Sequence, residues 1–317
     1  MIRGIISLRG GTRFYFFQNV YEWEDAIQKV LGIPIKRMNP LKKIYLQHRK
    51  SDNIYLRNDL SKDVYLAYIV NVDSAKLYVD YNCVPIFADV FTYTADKLAE
   101  ITKDCQMFFV TSWNMYQYLK NNCGCKNVYY TLLPVSDLLE NQIPIDKKLD
   151  VVQFGRQNKK LHEWMLKYVE EYPNVEYIYR EGNWKSINYY STKRGSIGEI
   201  RTREQFKKML GLTKVCLVSA RGKDEAEGEK GYDFITPRVF EAAAARCQLI
   251  GRYSDGHDRQ YCGLDEICSC PETYEDFREA LSVKLKNYNN TQGYQEFINK
   301  NKASIRIKEV LELIERA

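Results

Sequence analysis

Short apolar runs rich in β-branched and aromatic residues alternate with helical patterns along most of the chain. Several of these runs are apolar on both faces, as strands are when helices cover a parallel sheet. A strand followed by a helix, repeated, predicts βαβ units and a doubly wound α/β sheet. In the first half the predicted strands are Ile5–Leu8, Ile44–Gln47, Val64–Val70, Val84–Phe91, Gln106–Val110 and Val128–Leu133, with helices at Val20–Leu31, Ser74–Tyr81, Ala95–Asp104 and Trp113–Asn121.

The alternation stops at residues 141–149, where the sequence NQIPIDKKL is polar and contains a proline, and it then restarts. A chain of 317 residues has room for two domains of roughly 150 residues each. We therefore predict α/β domains at residues 1–145 and 146–317, with the last helix a candidate to pack back on the first. In the second half the predicted strands are Asp150–Phe154, Val175–Tyr179, Val215–Ser219 and Gln248–Arg252, with helices at Lys159–Glu171, Thr202–Leu210, Pro237–Ala245, Tyr274–Leu285 and Ser304–Glu315.

One long segment shows neither the strand nor the helix period. Residues 182–201, GNWKSINYYSTKRGSIGEIR, are polar and aromatic and long for a structureless connection. Loops of this kind are usually either functional lids or mobile surface. The composition favours neither alternative.

Positive charge is concentrated near the N-terminus. The chain carries 47 Lys+Arg and 41 Asp+Glu, a net charge of +6, and no carboxylate lies between Ala26 and Ser51. Such a window favours an anionic partner, either a membrane surface, a lipid phosphate or nucleic acid; the alternative is a solvated face without a partner. Because no nucleic-acid reader motif accompanies it, residues 29–50 are a candidate for peripheral contact with an anionic membrane. The basic residues in this window are Lys29, Lys36, Arg37, Lys42, Lys43, Arg49 and Lys50.

The cysteines and the N-terminal residues bear on the compartment. The chain has nine cysteines, an odd number that cannot all form disulfide pairs with one another, and no pair has the C-x2-C spacing of a zinc knuckle. The first apolar run is too short for a signal peptide, and no stretch approaches the roughly 18 apolar residues of a membrane span. We therefore expect a reduced cytoplasmic protein without structural zinc, one that could contact the inner face of the membrane.

In open α/β sheets ligands bind outside the carboxyl ends of the strands. The residues that follow predicted strands are therefore the candidates for chemistry. None of them matches the dinucleotide fingerprint, the P-loop, the nucleophile elbow or the zinc-binding helix. This argues against a dehydrogenase, a P-loop kinase, a serine hydrolase and a zincin.

Two glycine-containing turns follow predicted strands. Gly10 and Gly11 come after the first strand, where glycines let a ligand approach the backbone closely. Gly155, Arg156 and Lys160 come after the first strand of the second half. A glycine with basic side chains at a strand–helix junction suits a diphosphate. The alternatives are an ordinary tight turn at the first position and a solvated helix start at the second.

A third candidate is the helix start at Thr236 and Pro237, an N-cap residue followed by proline at the first helical position. Asp233 precedes this start, while Arg238 and Glu241 follow it. Four alanines after Glu241 would let the helix pack closely against a sheet. The alternative is an ordinary, well-capped core helix.

Residues 233–251 resemble the donor-binding signature of GT-B glycosyltransferases, a carboxylate, seven residues and then Glu-Ala on a helix that leads into a strand. The local sequence T-P-R-V-F-E-A is similar to that of the spore-maturation branch of the family. The turn with Gly155, Arg156 and Lys160 matches the family's diphosphate loop, and the Gly10-Gly11 turn lies where the family has its first glycine-rich loop. The resemblance implies two Rossmann-like domains that face a cleft, residues 1–145 on the acceptor side and residues 146–317 for the nucleotide-sugar donor.

The sequence departs from the family pattern at three positions. The first signature carboxylate is Asp233 in place of the usual Glu, and Arg246 replaces the small glycine that normally follows the alanines. Retaining members generally place a histidine in the first domain facing the donor sugar, but the only first-domain histidine, His48, lies in the basic window. The corresponding strand ends instead at Asp89, which becomes a candidate base or hydroxyl ligand. The stereochemical outcome stays open.

The resemblance implies a glycosyltransferase that needs neither a metal nor a cofactor. It would move a sugar from a nucleotide-diphosphate sugar to a hydroxyl of a glycan or lipid-linked acceptor, in the assembly of a surface glycan or polysaccharide. Asp89 and Asp233 are the candidate catalytic residues, with Asp233 holding hydroxyls of the donor sugar. The candidate donor-binding residues are Gly10, Gly11, Gly155, Arg156, Lys160, Thr236, Arg238 and Glu241.

The resemblance implies that different charged side chains bind different parts of the donor. Arg156 and Lys160 would neutralise the diphosphate as the leaving group departs, and Glu241 would accept hydrogen bonds from the ribose hydroxyls. Two other functions are compatible with the same architecture. One is a non-catalytic two-domain protein that binds a phosphorylated ligand, and the other is a nucleotide-sugar epimerase.

Overall fold

The computed structural model describes residues 1–9, 18–39, 41, 44–45, 54–182, 187–220, 222–224 and 234–317. These residues form two compact units. The first unit holds the described residues from Met1 to Asp137 together with Lys302–Ala317, and the second holds those from Leu138 to Asn301. Each unit is built on a largely parallel sheet with helical crossovers, so the predicted α/β class is confirmed.

The first unit contains a six-stranded parallel sheet in the order β2-β1-β3-β4-β5-β6. The strand order reverses at β1 and β3, so the topological switch point of this unit lies at their carboxyl ends. The described elements are β1 (Ile2–Ser7), α1 (Asn19–Leu31), β2 (Ile35–Arg37), β3 (Val64–Asn71), a 3-10 helix (Val72–Tyr78), β4 (Cys83–Asp89), α2 (Thr92–Thr102), β5 (Phe108–Val110), α3 (Trp113–Asn121) and β6 (Val128–Tyr130).

The second unit contains a seven-stranded sheet in the order β10-β9-β8-β7-β11-β12-β13, in which β9 and β10 run antiparallel to their neighbours. Its switch point lies at the carboxyl ends of β7 and β11. The described elements are a 3-10 helix (Glu140–Gln142), β7 (Leu149–Gln153), α4 (Lys159–Glu171), β8 (Tyr177–Arg180), β9 (Asn188–Ser191), β10 (Gly195–Glu199), α5 (Arg203–Leu212), β11 (Thr213–Ser219), α6 (Pro237–Ala244), β12 (Gln248–Arg252), α7 (His257–Cys262), a 3-10 helix (Leu264–Glu266), β13 (Cys268–Ser269), α8 (Tyr274–Lys286) and α9 (Tyr294–Lys300).

The boundary between the units lies after Asp137, earlier than the predicted position near residue 145. Residues 138–145 belong to the second unit because they contact its helices. Glu140 forms an ion pair with Arg246 at 2.6 Å. At Gly211 a β-carbon would lie 1.9 Å from the carbonyl oxygen of Pro144, so only glycine allows this close approach.

The last helix, α10 (Ala303–Glu315), belongs to the first unit and contacts α1. The backbone N–H of Ala303 donates to the carbonyl of Val135 at 2.8 Å. Ser304, where the sequence predicts that this helix begins, is its second residue, and its N–H donates to the carboxylate of Asp137 at 3.0 Å. A side chain from another segment therefore caps α10, which a local sequence pattern does not predict.

Two predicted elements of the first unit differ in the structure. Ile44 and Tyr45, predicted as part of a strand, have helical backbone. The strand beside β1 is β2, held by a hydrogen bond from Ile5 N to the carbonyl of Pro34 at 2.8 Å. The predicted helix at 74–81 is a shorter 3-10 helix, which begins where the Asn71 side chain accepts a hydrogen bond from the Ser74 N–H.

The segment 182–201, predicted as a lid or mobile surface, contains the hairpin of β9 and β10. Its turn uses Gly195 with φ of +71°, a conformation that favours glycine. Tyr189 and Ser191 are fully buried on one face of β9, and Ser191 pairs with Ile178 of β8. The hairpin therefore extends the sheet. No helix within the described ranges is long and apolar enough to cross a bilayer.

Candidate functional site

The turn after β7 lies at the switch point of the second unit. Gly155 has φ of +73°, in the left-handed region that favours glycine. Its backbone N lies 3.5 Å from the Tyr189 hydroxyl, and a β-carbon at this position would lie 3.8 Å from Arg238 Nε. The fold thus places a bare backbone from the β7 turn beside a cationic side chain from α6.

Asn158 links the two loops that meet at this switch point. It is fully buried and begins α4, where its side-chain oxygen accepts a hydrogen bond from the Leu161 N–H at 2.9 Å. Its side-chain nitrogen donates to the carbonyl of Lys223 at 3.2 Å and to the carboxylate of Asp224 at 3.3 Å. The N-terminus of α4, which is the positive end of the helix dipole, therefore lies beside the loop that follows β11.

Asp224 and Arg252 form a bidentate ion pair across this edge. Arg252 Nε and Nη2 donate to the two carboxylate oxygens at 2.7 and 2.8 Å, and Nη1 also donates to Glu272 at 2.8 Å. Burial alone would raise the pKa of Asp224, but the hydrogen bonds and charge of Arg252 outweigh it and hold that pKa below its ordinary value. The hydrogen bond to Asp224 in turn raises the pKa of Arg252. Asp224 has φ of +70°, so this pair also holds a strained loop residue in place.

Glu241 is buried on α6 between two arginines. Arg203 Nη1 lies 2.6 Å from one carboxylate oxygen as an ion pair, without hydrogen-bond alignment, and Arg238 donates to the other oxygen. The guanidinium carbons of Arg203 and Arg238 lie 4.9 and 4.5 Å from the ring centre of Phe206. Glu241 thus holds Arg238 in the position where it reaches Gly155.

Pro237 begins α6 as predicted, but Thr236 does not cap it with its side chain. The Thr236 hydroxyl instead shares a hydrogen bond of 3.0 Å with the hydroxyl of Tyr253, which is buried. Thr236 is half-buried at the start of the helix, so this contact orients the residue just before the α6 dipole.

The two remaining basic residues of the predicted diphosphate loop are half-buried at the same edge. Arg156 directly follows Gly155. Lys160 lies in the first turn of α4, with its ammonium 5.2 Å from the centre of the Trp164 ring. The charge of Lys160 also contributes to the lowered pKa of Asp224.

Three of the predicted site residues, Gly10, Gly11 and Asp233, lie outside the described residues. Of the others, Arg238 contacts Glu241 directly, and its Nε lies 3.8 Å from the position that a β-carbon of Gly155 would take. Asp89 belongs to the first unit, where it ends β4 in register with Asn71 at the end of β3. It therefore lies at the carboxyl edge of the first sheet, as the sequence pattern predicts for a residue that follows a strand.

The first unit holds a buried carboxyl group, that of Glu24, at its own switch point. Glu24 of α1 is 1% exposed and accepts a hydrogen bond from the Ser7 hydroxyl at 2.5 Å. Arg9 lies 3.5 Å from the same carboxylate oxygen and 2.7 Å from Asp25. Burial raises the pKa of Glu24 to about 7, although Ser7 and Arg9 act to lower it.

Sequence reasoning missed Asn158, Asp224, Arg252 and Glu24. The signal for Asn158 is its place before a helical pattern, since Asn is a preferred N-cap. Arg252 stands at the end of an apolar strand, where a buried charge needs a partner. The positions of Asp224 and Glu24 in the sequence carry no comparable signal. Within the described ranges no group of three or more His, Cys, Asp or Glu side chains is arranged to hold a metal ion.

Comparison with known proteins gives the fold. No family model matches the sequence, and no curated protein matches it. A crystal structure of a glycosyltransferase from Rickettsia africae is similar over 99% of this chain and 98% of that one, with a TM-score of 0.57 and 11% identity. The crystal structure of TarM is similar over 80% of this chain, with a TM-score of 0.54 and 11% identity, and the match spans 54% of TarM. The fold is GT-B.

A third GT-B neighbour carries a different activity in its name. The structure of a putative UDP-N-acetylglucosamine 2-epimerase from Listeria monocytogenes is similar over 99% of this chain and 96% of that one, with a TM-score of 0.53 and 12% identity. At these identities the likeness shows the GT-B fold alone. The activity must be argued from the side chains at the two sheet edges.

Proposed function

We propose that this protein transfers a sugar from a nucleotide-diphosphate sugar to a hydroxyl acceptor in the assembly of a surface glycan. One observation carries the proposal. The side chain of Arg238 lies against the bare backbone of Gly155 at the switch point of the second sheet. In an open α/β sheet this is where a ligand binds.

The chemistry at this edge suits the diphosphate of the donor. Backbone N–H groups at the start of α4 and the guanidinium groups of Arg156 and Arg238 can hold phosphate oxygens, with Lys160 as a further cation. Negative charge develops on the diphosphate as it leaves the sugar, and fixed cations stabilise that charge. In this proposal cationic side chains neutralise the diphosphate, and neither a metal ion nor a cofactor is required.

The proposed role of Glu241 takes account of its two arginine partners. Both carboxylate oxygens are engaged by Arg203 and Arg238, and the residue is only 3% exposed. Ribose hydroxyls can reach this carboxylate only if Arg238 moves toward the diphosphate when the donor binds. We propose that exchange, in which Arg238 turns to phosphate oxygens and the ribose takes its place on Glu241.

Asp89 is the proposed base on the acceptor side. It stands at the carboxyl edge of the first sheet and would accept the proton of the acceptor hydroxyl as that oxygen attacks the sugar carbon. Asp233 would hold hydroxyls of the donor sugar. An Asp89→Asn variant should then keep its affinity for the donor and lose turnover.

A nucleotide-sugar epimerase is the second candidate function. The Listeria monocytogenes neighbour, a putative epimerase by name, is similar over nearly the whole of both chains, and so is the Rickettsia africae glycosyltransferase, so both functions need a direct test. An epimerase would need no acceptor and would return a nucleotide sugar, or its free sugar, with one inverted carbon. A transferase joins the sugar to a separate hydroxyl.

A two-step experiment separates the candidates. Thermal unfolding is first measured across nucleoside diphosphates and their sugars, since a ligand that binds the folded state raises Tm. The stabilising donors are then incubated with and without a mixture of glycan acceptors, and nucleotide release is followed. Acceptor-dependent release supports the transferase. A changed sugar without acceptor supports the epimerase, and stabilisation without turnover supports a binding protein.

A further inference from the structure

Three large apolar side chains are exposed within five residues of the first unit. Leu41, Ile44 and Tyr45 have helical backbone and are 77%, 54% and 71% exposed. The spacing i, i+3, i+4 places them on one face of a helical turn. Side chains of this kind usually face a core, so an exposed group of them marks a surface that contacts something else.

The turn that carries these residues is fixed to the sheet at its beginning. Met38 is buried, and its N–H donates to the carbonyl of Ser7 at 3.0 Å. The side-chain oxygen of Asn39 then accepts a hydrogen bond from the Leu41 N–H at 2.9 Å. The apolar face therefore begins three residues after the anchored Met38, beyond the carboxyl end of β2.

Positive charge adjoins the apolar face. Lys36 and Arg37 are exposed on the edge strand β2, and neither pairs with a carboxylate in the described part of the chain. The Lys36 ammonium lies 5.0 Å from the centre of the Tyr65 ring, which holds the charge at the sheet surface. By sequence, two further lysines, Lys42 and Lys43, stand between Leu41 and Ile44, and both lie outside the described residues.

We propose that Lys36, Arg37, Leu41, Ile44 and Tyr45 form a docking surface for an anionic lipid bilayer. Basic side chains attract anionic headgroups, and an adjoining apolar face is buried at the boundary between headgroups and acyl chains. Nucleic acid would use the charge and leave the apolar face exposed. A second copy of this chain would bring the same basic residues together, which costs energy.

The location of this surface connects it to the proposed reaction. Met38 is tied to the carboxyl end of β1, at the same sheet edge where Asp89 ends β4. A bilayer on this surface would present a lipid-linked acceptor to that edge. This connection rests on the proposed function, whereas the binding of lipid does not.

Flotation of the protein with vesicles tests the surface directly. One set of vesicles contains phosphatidylcholine alone, and the other also contains phosphatidylglycerol. We expect binding to the anionic vesicles only, and weaker binding as salt is raised. Each basic residue near an anionic surface contributes about a fivefold change in affinity, so Lys36→Gln with Arg37→Gln should reduce binding roughly 25-fold.

The apolar face is tested separately, with a matched control. Replacing Leu41, Ile44 and Tyr45 by serine should reduce binding roughly tenfold or more, because apolar burial is lost. Replacing Leu166, Tyr172 and Val283, which are exposed on the second unit, by serine should leave vesicle binding unchanged. Unaltered Tm in the first variant shows that it is folded. Because flotation needs no donor, it can succeed or fail independently of glycosyl transfer.

Three results would overturn the proposal. The first is equal binding to neutral and anionic vesicles. The second is an equal loss of vesicle binding in the variant at Leu41, Ile44 and Tyr45 and in the control variant at Leu166, Tyr172 and Val283. The third is absence of vesicle binding together with another use of the surface. That use would be a dimer, seen by light scattering, that needs the apolar face, or oligonucleotide binding that needs the basic residues.

Discussion

Arg238 lies against Gly155, with its Nε 3.8 Å from the position that a β-carbon of residue 155 would take. These two residues come from the loop after β7 and from the first turn of α6, on the two sides of the β7–β11 switch point. Arg238 also forms an ion pair with Glu241 and a cation–π contact with the ring of Phe206. The contact thus connects a backbone that can approach an anion with a cation whose position is supported.

Replacing Gly155 by Ala should weaken diphosphate binding roughly tenfold. The added methyl group takes the space between the backbone and Arg238 and strains a left-handed position, at a cost of about 1 kcal/mol. Gly195→Ala is the matched control, because Gly195 has φ of +71° but no atom within 4 Å of its β-carbon position. Calorimetric titration with nucleoside diphosphate should show lower affinity for Gly155→Ala alone. Equal affinities for the two variants would exclude Gly155 from the site.

Glu241→Gln should lower both stability and nucleotide affinity. The substitution leaves the buried Arg203 and the half-buried Arg238 without their carboxylate, which costs about 3–5 kcal/mol of stability. It also removes the charged acceptor for the ribose, worth roughly 1.5–3 kcal/mol or about tenfold or more in affinity. Titration at a temperature well below both Tm values measures the affinity of the folded protein.

Arg203→Gln is the control for Glu241. It removes one ion pair of the same carboxylate and leaves the pair with Arg238 in place, so it should lower Tm while affinity for the nucleotide is kept. If the two variants lose affinity to the same extent, the loss reflects a loosened α6, and Glu241 does not contact the ribose.

Asp224→Asn should destabilise the second unit by about 3 kcal/mol, since it leaves the buried Arg252 without its bidentate partner. The folded-state pKa of Asp224 is lowered, so its contribution to stability is present above pH about 4 and is lost as pH falls through the lower folded pKa. The difference in Tm between wild type and variant should therefore shrink in acid. Asp73→Asn breaks an exposed pair with Lys97 and should change the unfolding free energy by less than about 1 kcal/mol. Similar Tm values for both variants at neutral pH would contradict this account.

Glu24 should make the first unit less stable as pH rises. Its pKa is raised from 4.5 to about 7, so the folded state binds the extra proton between those values. Stability is therefore full below pH about 4.5 and falls as pH rises through 7, by on the order of 3 kcal/mol. The groups that face this carboxyl are Ser7, Arg9, Asp25, Tyr68 and Tyr78.

The variant Glu24→Gln should abolish that pH slope, as measured by chemical unfolding at a series of pH values. Glu22→Gln, two positions away on α1, should keep it. A slope that persists in Glu24→Gln would mean that another group carries the proton.

Much of the architecture follows from local patterns. The helices α3 and α4 begin and end where the periodicity predicts, and Pro237 starts α6. These elements are predictable because caps and apolar spacing act within a few residues. The β9–β10 hairpin was missed because its inward positions include a serine and its flanks are polar, which conceals the period of two.

The candidate site is less predictable for a physical reason. The turn with Gly155 and the helix start at Pro237 can be recognised separately, but the contact between Gly155 and Arg238 depends on how β7 and β11 pair. The bidentate ion pair between Asp224 and Arg252 likewise joins the loop after β11 to the end of β12. Such partners are set by sheet order, which the sequence of either loop does not contain.

The fate of the donor sugar distinguishes glycosyl transfer from epimerisation and from binding without turnover. A nucleotide-diphosphate sugar that raises Tm is supplied with its sugar labelled with carbon-13, together with a hydroxyl acceptor, and the products are followed by NMR. If the protein is a glycosyltransferase, the label appears on the acceptor as a new glycoside, nucleoside diphosphate is released in equal amount, and Asp89→Asn abolishes both. Label that stays on the nucleotide, or appears only as a free or epimerised sugar, would contradict glycosyl transfer.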